Sequence, residues 1–298
     1  MRHSLLALVC IISFSTRLIG LEHPPLPANT TWLLSLDVRQ ALSGPCADLA
    51  RQCIDSATAA PGVKNWLTMT NIDPLTDIDQ IMASGTDFTP LTSSLIVSGR
   101  FDAKRLIALA EAAQGHQAIL HGNYVIHRWI DPAANNREVF AALVDGHLLF
   151  APTRNSAIHS LDAFSANAAV AEPVAMVDRF TGPLIAAAAA NDLAHMPHLD
   201  QSAAMLRQIS HIAANLQTEG DHIVSTVIAT TTDEATATQL QQIGQGLLAL
   251  ALFNKDTPAD AKVLLSGIRI SQANNQVTVQ TTLPIATLRA VMAKGANR

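Results

Sequence analysis

Apolar and polar positions along this chain repeatedly change period, from about two to about 3.6, and the changes fall at one kind of step. Runs such as Ser93–Arg100, His147–Phe150, His222–Thr230 and Gln276–Thr281 read as strands. Each passes directly into a helical pattern opened by a small polar residue or proline: LIVSGRFDAKRLIALA, LLFAPTRNSAIHSLD, IVSTVIATTTDEATATQL and VTVQTTLPIATLRAVMA. Asp102 is placed to cap a helix whose stripe is Leu106, Leu109, Ala110 and Ala113. Thr153 or Asn155 opens a helix to Phe164, and Asp233 begins a long one carrying Leu240, Ile243, Leu247, Leu250 and Ala251. Pro284, at a good first-turn position, starts the last helix, Ile285–Met292.

Further strands are predicted at Trp32–Leu36, Trp66–Thr70, His116–Leu120, Tyr124–Ile130 and Phe140–Val144. Asp145-Gly146 between apolar runs signals a tight hairpin. Leu184–Ala190 reads as a strand or a buried helix, because an alanine run suits both. Ile209–Gln217 pairs with His222–Thr230, and Val263–Ile270 with Gln276–Thr281, across short polar turns. Helices are predicted at Asp37–Leu42, Cys46–Ile54, Gln201–Arg207 and Thr76–Ala83, the last because Thr76 and Asp79 have capping-box spacing. The pattern predicts an α+β fold, a mostly antiparallel sheet with helices packed on one face, readable as a diverged duplication. The divisions are a leader over 1–20, an N-terminal α+β domain over 21–165, a junction over 166–183 and a C-terminal α+β domain over 184–298.

The leader, MRHSLLALVCIISF, joins a basic start to an apolar core from Leu5 to Phe14, too short to span a bilayer comfortably. It predicts a secreted or periplasmic protein with no stable transmembrane segment after leader removal. Lipid attachment at Cys10 is disfavoured, because Val9 stands where a small residue would be expected. Of the chain's three cysteines, Cys46 and Cys53 then remain, and in an oxidising compartment they form a candidate disulfide. A straight helix would hold their Cα atoms about 10 Å apart, so a bridge requires a bend.

Composition narrows the chemistry. Charged residues are 14% of the 298, against a usual ~25%, and aromatic residues 4%. A formal charge of −5 without clustered Lys or Arg excludes nucleic acid as a partner. The eleven histidines lack metal-ligand spacing: His195 and His198 flank Pro197, His121 and His127 flank a strand, and His211 and His222 sit on opposite hairpin arms. Asp73, Asp77 and Asp79 lack the closing glutamate of a calcium loop. Gly244-Gln245-Gly246 lies within a helical pattern, which excludes a dinucleotide loop, and no Gly-x-Ser-x-Gly occurs. No metal, cofactor or catalytic set is assigned. Arg100, at a strand-to-helix step, reads either as a structural Arg–Asp partner or as a ligand contact for an anion.

The segments LPANTTWLLSLDV, NIDPLTDIDQIMASG and SLIVSGRFDAKRLIAL resemble an uncharacterised group of exported planctomycete-type bacterial proteins. The shared features fall on Leu26-Pro27 with Thr30, on Ile72-Asp73-Pro74 with Asp77-Ile78, and on Gly99–Asp102. The resemblance spans roughly residues 24–165; it implies export and a fold outline, and carries no catalytic residues. The reading is therefore an exported protein acting without catalysis, by binding or as part of a cell-envelope assembly, with another envelope protein as a candidate partner. The alternative is an envelope hydrolase with a dispersed active site.

Overall fold

The computed structural model describes residues 23–132, 135–165, 169–196 and 206–295. The leader and Cys10 lie outside the described residues, as do His198 and most of the predicted helix Gln201–Arg207. The first half contains β1 (Trp32–Asp37), α1 (Val38–Ser43), α2 (Ala47–Thr58), α3 (Pro61–Thr70), β2 (Ile78–Gly85), β3 (Ser93–Gly99) and α4 (Ala103–Glu111). It continues with β4 (Gln117–His121), β5 (Tyr124–Asp131), β6 (Arg137–Val144), β7 (His147–Ala151), α5 (Arg154–Ser165) and α6 (Glu172–Val177). The second half contains β8 (Leu184–Asn191), β9 (Ile209–Glu219), β10 (His222–Thr231), α7 (Glu234–Phe253) and α8 (Ala259–Ser266). It closes with β11 (Ile268–Ala273), β12 (Gln276–Pro284) and α9 (Ile285–Gly295).

Among the described residues twelve strands form one antiparallel sheet, in the order β11-β12-β10-β9-β8-β1-β2-β3-β7-β6-β5-β4. The halves meet where Leu34 of β1 pairs with Ala188 of β8. Counting outward from that join gives 1-2-3-7 on one side and 8-9-10-12 on the other, so the strand orders correspond. The four strand-to-helix units seen in the sequence occupy corresponding places: β3–α4 with β10–α7, and β7–α5 with β12–α9. Asp102, Asp233 and Asp37 each cap the following helix through a carboxylate oxygen that accepts a backbone N–H. Asp145 and Gly146 both take positive φ in the β6–β7 turn, as a two-residue hairpin requires.

Alternation along the strands sorts the core. On one face, Leu33, Met82, Ile96, Ile126 and Leu149 are buried with Ala157 and Leu161 of α5 and with Met176 and Val177 of α6. On the other, Val97, Leu148 and Phe150 pack with Trp66 and Leu67 of α3 and Leu106 of α4. That second face also carries α2 and α9 over Leu216 and Ile223, and Leu240 of α7 over Ile212 and Ala229. Most helices thus bank on one face, as two separated groups. Between them Leu34 is left 53% exposed and Leu95 38% exposed.

Three sequence readings are corrected. Trp66–Thr70 is helical, within α3: Pro61 supplies the first turn, and Val63, Trp66 and Leu67 keep helical spacing. Thr76–Ala83 is a turn and then β2, because the segment is claimed by β1 on one side and β3 on the other. Its acids serve the turn, where Asp77 Oδ2 accepts from the Asp73 N–H at 2.8 Å and Asp73 Oδ1 from the Leu75 N–H. Val263–Ser266 belongs to α8, started after Pro258, and the strand begins only at Ile268.

Gly99 explains part of the SGRFD step. The chain turns so tightly there that an added Cβ would lie 2.0 Å from the Asp77 carbonyl oxygen, the same oxygen that accepts the Arg100 N–H at 2.8 Å. Backbone cannot retreat as a flexible side chain can. Gly99→Ala is expected to destabilise the protein by about 2–4 kcal/mol in equilibrium urea unfolding. A change below about 0.5 kcal/mol would contradict this packing.

Candidate functional site

The Arg100 side chain is exposed and donates to the Thr76 carbonyl, so it braces the turn before β2. The predicted Cys46–Cys53 disulfide is absent, and both thiols are free. The reason is the geometry that a bridge needed to avoid. Cys46 caps α2, which then runs unbroken through Cys53, about two turns along and about 10 Å away. Cys46 is buried against the α9 side, where burial pushes its thiol pKa up, while Cys53 is exposed.

Several histidines pair with acids, and in one place two histidines meet each other. His211 Nε2 meets Glu172 at 2.7 Å, and His222 meets its neighbour Asp221 at 2.6 Å, so the two do not face one another across the hairpin. His121 bonds Asp162, and His195 bonds Asp192. No group of three or more metal-ligating side chains exists among the described residues. The two histidines that meet are His116 and His127, stacked with ring centroids 5.3 Å apart and joined Nε2 to Nδ1 at 3.1 Å.

His127 also lines an apolar cavity of about 390 Å³ between α3–α4 and strands β5, β6 and β7, within the range of small-molecule sites. Sequence explains why the space stays open. Helix α4 is amphipathic, yet none of its residues is buried, and α3 buries only Thr70. The cavity-facing side of α4 carries Ala110, with Ala113 just beyond it, and Ala141 lies opposite on β6. Alanines on both walls cannot fill the gap between helix and sheet. Larger residues stand around them: Trp66, Met69, Leu106, Trp129 and Phe150. Trp66 and Phe150 hold an edge-to-face contact, 6.2 Å between centroids, and thereby fix one wall. Arg105 donates through Nε and Nη2 to the Met69 carbonyl, which clamps the start of α4 to the end of α3. Asn71 ends α3 in the left-handed conformation, φ 57°.

Chemically, this cavity accepts apolar groups. His127 is the titratable side chain in its lining, with Thr70 and the indole N–H groups as further polar edges. Its pKa is lowered, first by burial and then by the neighbouring His116. The neutral ring therefore predominates near pH 7, and the site offers a weak polar handle without a charge. One imidazole with a second imidazole as partner gives no nucleophile–base–orienter set.

Burial also lowers the pKa of His147, which bonds Ser98 Oγ at 2.8 Å, and of His23, whose ring nitrogens have no partner although Asp178 lies 3.7 Å away. For each of these three groups the unfolded chain binds a proton at about pH 6.5 that the folded protein resists. Stability therefore rises with pH across the window from the depressed folded values up to about 6.5 and flattens above it. The melting temperature is expected to fall between pH 7.5 and pH 5, and the loss should shrink in a His127→Gln/His147→Gln variant. A flat profile, or a gain on acidification, would contradict the assignment.

No protein-family model matches the chain, and no curated protein does. Crystal structures of TP0453 are similar in chain course at low identity. Crystal form I is 8% identical with a TM-score of 0.49, covering 92% of this chain and 98% of that one. Form III gives 10% and 0.49 over 92% and 99%, and form IV 9% and 0.48 over 90% and 97%. At these values the likeness assigns neither family nor activity.

Proposed function

We propose that the protein is exported and acts by binding, taking a small apolar molecule into the cavity between α3–α4 and the sheet. The observation that carries this reading is an open, two-tryptophan apolar cavity whose lining holds one titratable group. Export is supported by the leader MRHSLLALVCIISF and by the resemblance to exported planctomycete-type proteins. Among the described residues no helix is long and apolar enough to cross a membrane. Arg100 braces a turn and does not line the cavity, and Asp73, Asp79, Glu172 and Asp233 are engaged in a turn, two ion pairs and a helix cap.

N-phenyl-1-naphthylamine, a neutral apolar fluorophore, tests the cavity directly. Its emission is expected to rise saturably with the protein and to be excited by transfer from Trp66 and Trp129. Ala110→Phe, which fills the cavity from α4, should weaken uptake tenfold or more while the circular dichroism spectrum is retained. Absent saturable uptake by the wild type, or uptake unchanged in Ala110→Phe, would contradict the reading.

A further inference from the structure

We propose that a second cleft, at the start of α5 on the opposite face of the sheet, binds a neutral polyhydroxylated ligand of the monosaccharide or cyclitol class. This cleft encloses about 460 Å³ and lies between the first two turns of α5, the ends of β2 and β3, and the lead into β1. It is independent of the apolar cavity, sharing no lining residue with it.

Its lining differs in kind. No Asp, Glu, Lys or Arg contributes, whereas eight serine and threonine residues do, among which the hydroxyls of Thr30, Thr92, Thr153 and Ser156 already donate within the protein or bond one another. Ser160, 4% exposed as a residue, lines the cleft, and its hydroxyl makes no hydrogen bond among the described residues. That hydroxyl is reached from the cleft rather than sealed off, so a ligand group can exchange hydrogen bonds with it. Beside it, Ser84 and Ser94, both buried, share one hydrogen bond at 3.2 Å, which leaves one of the two hydroxyl protons free. At the rim, Asn29 Oδ1 engages His159 Nε2 at 2.7 Å, so the amide N–H groups of Asn29 remain as donors.

Charge and bonding pattern select the ligand class. An ion bound here would have no opposite charge in the lining, and burying it unpaired is costly. Hydroxyls both donate and accept, so they match a ligand whose own groups do the same. No Phe, Tyr or Trp lines the cleft and the His159 ring sits at its exposed rim, so recognition rests on hydrogen bonds rather than on stacking against a broad aromatic face.

The experiment is isothermal titration of the full chain with glucose, N-acetylglucosamine and myo-inositol, each separately, with inorganic phosphate as the comparison. At least one of the three neutral ligands is expected to bind at a single site. Ser160→Ala, which removes a hydroxyl without breaking any internal bond, should weaken that binding about fivefold. Asn155→Trp, on the exposed first turn of α5, should block the cleft and abolish binding, while naphthylamine uptake by the other cavity is unchanged. The proposal is overturned if none of the three binds, if phosphate binds in their place, or if either variant leaves the affinity unmoved.

Discussion

The pairing of β1 with β8 is the join on which the rest of the molecule depends. β1 is the first strand of the chain's first half and β8 the first of its second, and each is flanked by its own half on the outer side. Ala186–Ala190 supply small side chains that let three strands lie together without displacing the helices on either face. Beneath that join Ser35 is fully buried and accepts from Gln80 Nε2 at 3.0 Å, so the centre of the sheet carries a satisfied polar contact rather than a void. Because the two halves open outward from β1 and β8, their helices gather towards the two ends of one face. The middle strip around Leu34 is left bare, and the helix-to-sheet gaps fall within the halves.

Small side chains decide where those gaps become cavities. Under α4, Ala110 and Ala113 stand against Ala141, and the helix rests on a rim of larger residues without burying one of its own. On the opposite face α5 buries Ala157 and Leu161 fully, so its centre is closed and only its serine- and threonine-rich start stays open. One sheet thereby presents an apolar cavity on one face and a hydroxyl-lined cleft on the other. The first suits a ligand driven by area removed from water, the second a ligand held by matched hydrogen bonds.

Much of the fold was legible in the sequence because it rests on local signals. Three of the four strand-to-helix units carry their own cap, Asp102, Thr153 or Asp233, the fourth has Pro284 at the step, and Asp145-Gly146 sets its own turn. The readings that failed were those in which neighbours overrule local pattern. Thr76 and Asp79 have helix-start spacing, but β1 and β3 draw the following residues into the sheet. Val263–Leu265 is apolar enough for a strand, but Pro258 starts a helix. The cavity was not legible, since Trp66, Ala110, His127 and Phe150 come from four elements and form no motif. One signal was present: a chain with three tryptophans that places two of them, Trp66 and Trp129, on one wall system. Ser160 was equally silent, because a serine on a helix gives no sign that it will line a cleft with its hydroxyl unbonded.

The central claim is that the apolar cavity between α3, α4 and the sheet takes up a small apolar molecule. Hydrogen–deuterium exchange of the full chain, with and without saturating N-phenyl-1-naphthylamine, tests it most directly. The account predicts that exchange slows in 61–70 and 103–111 and in the facing strands β5 to β7, while α7 and β9–β12 are unchanged. Protection confined to the second half, or none in α3 and α4, would contradict it.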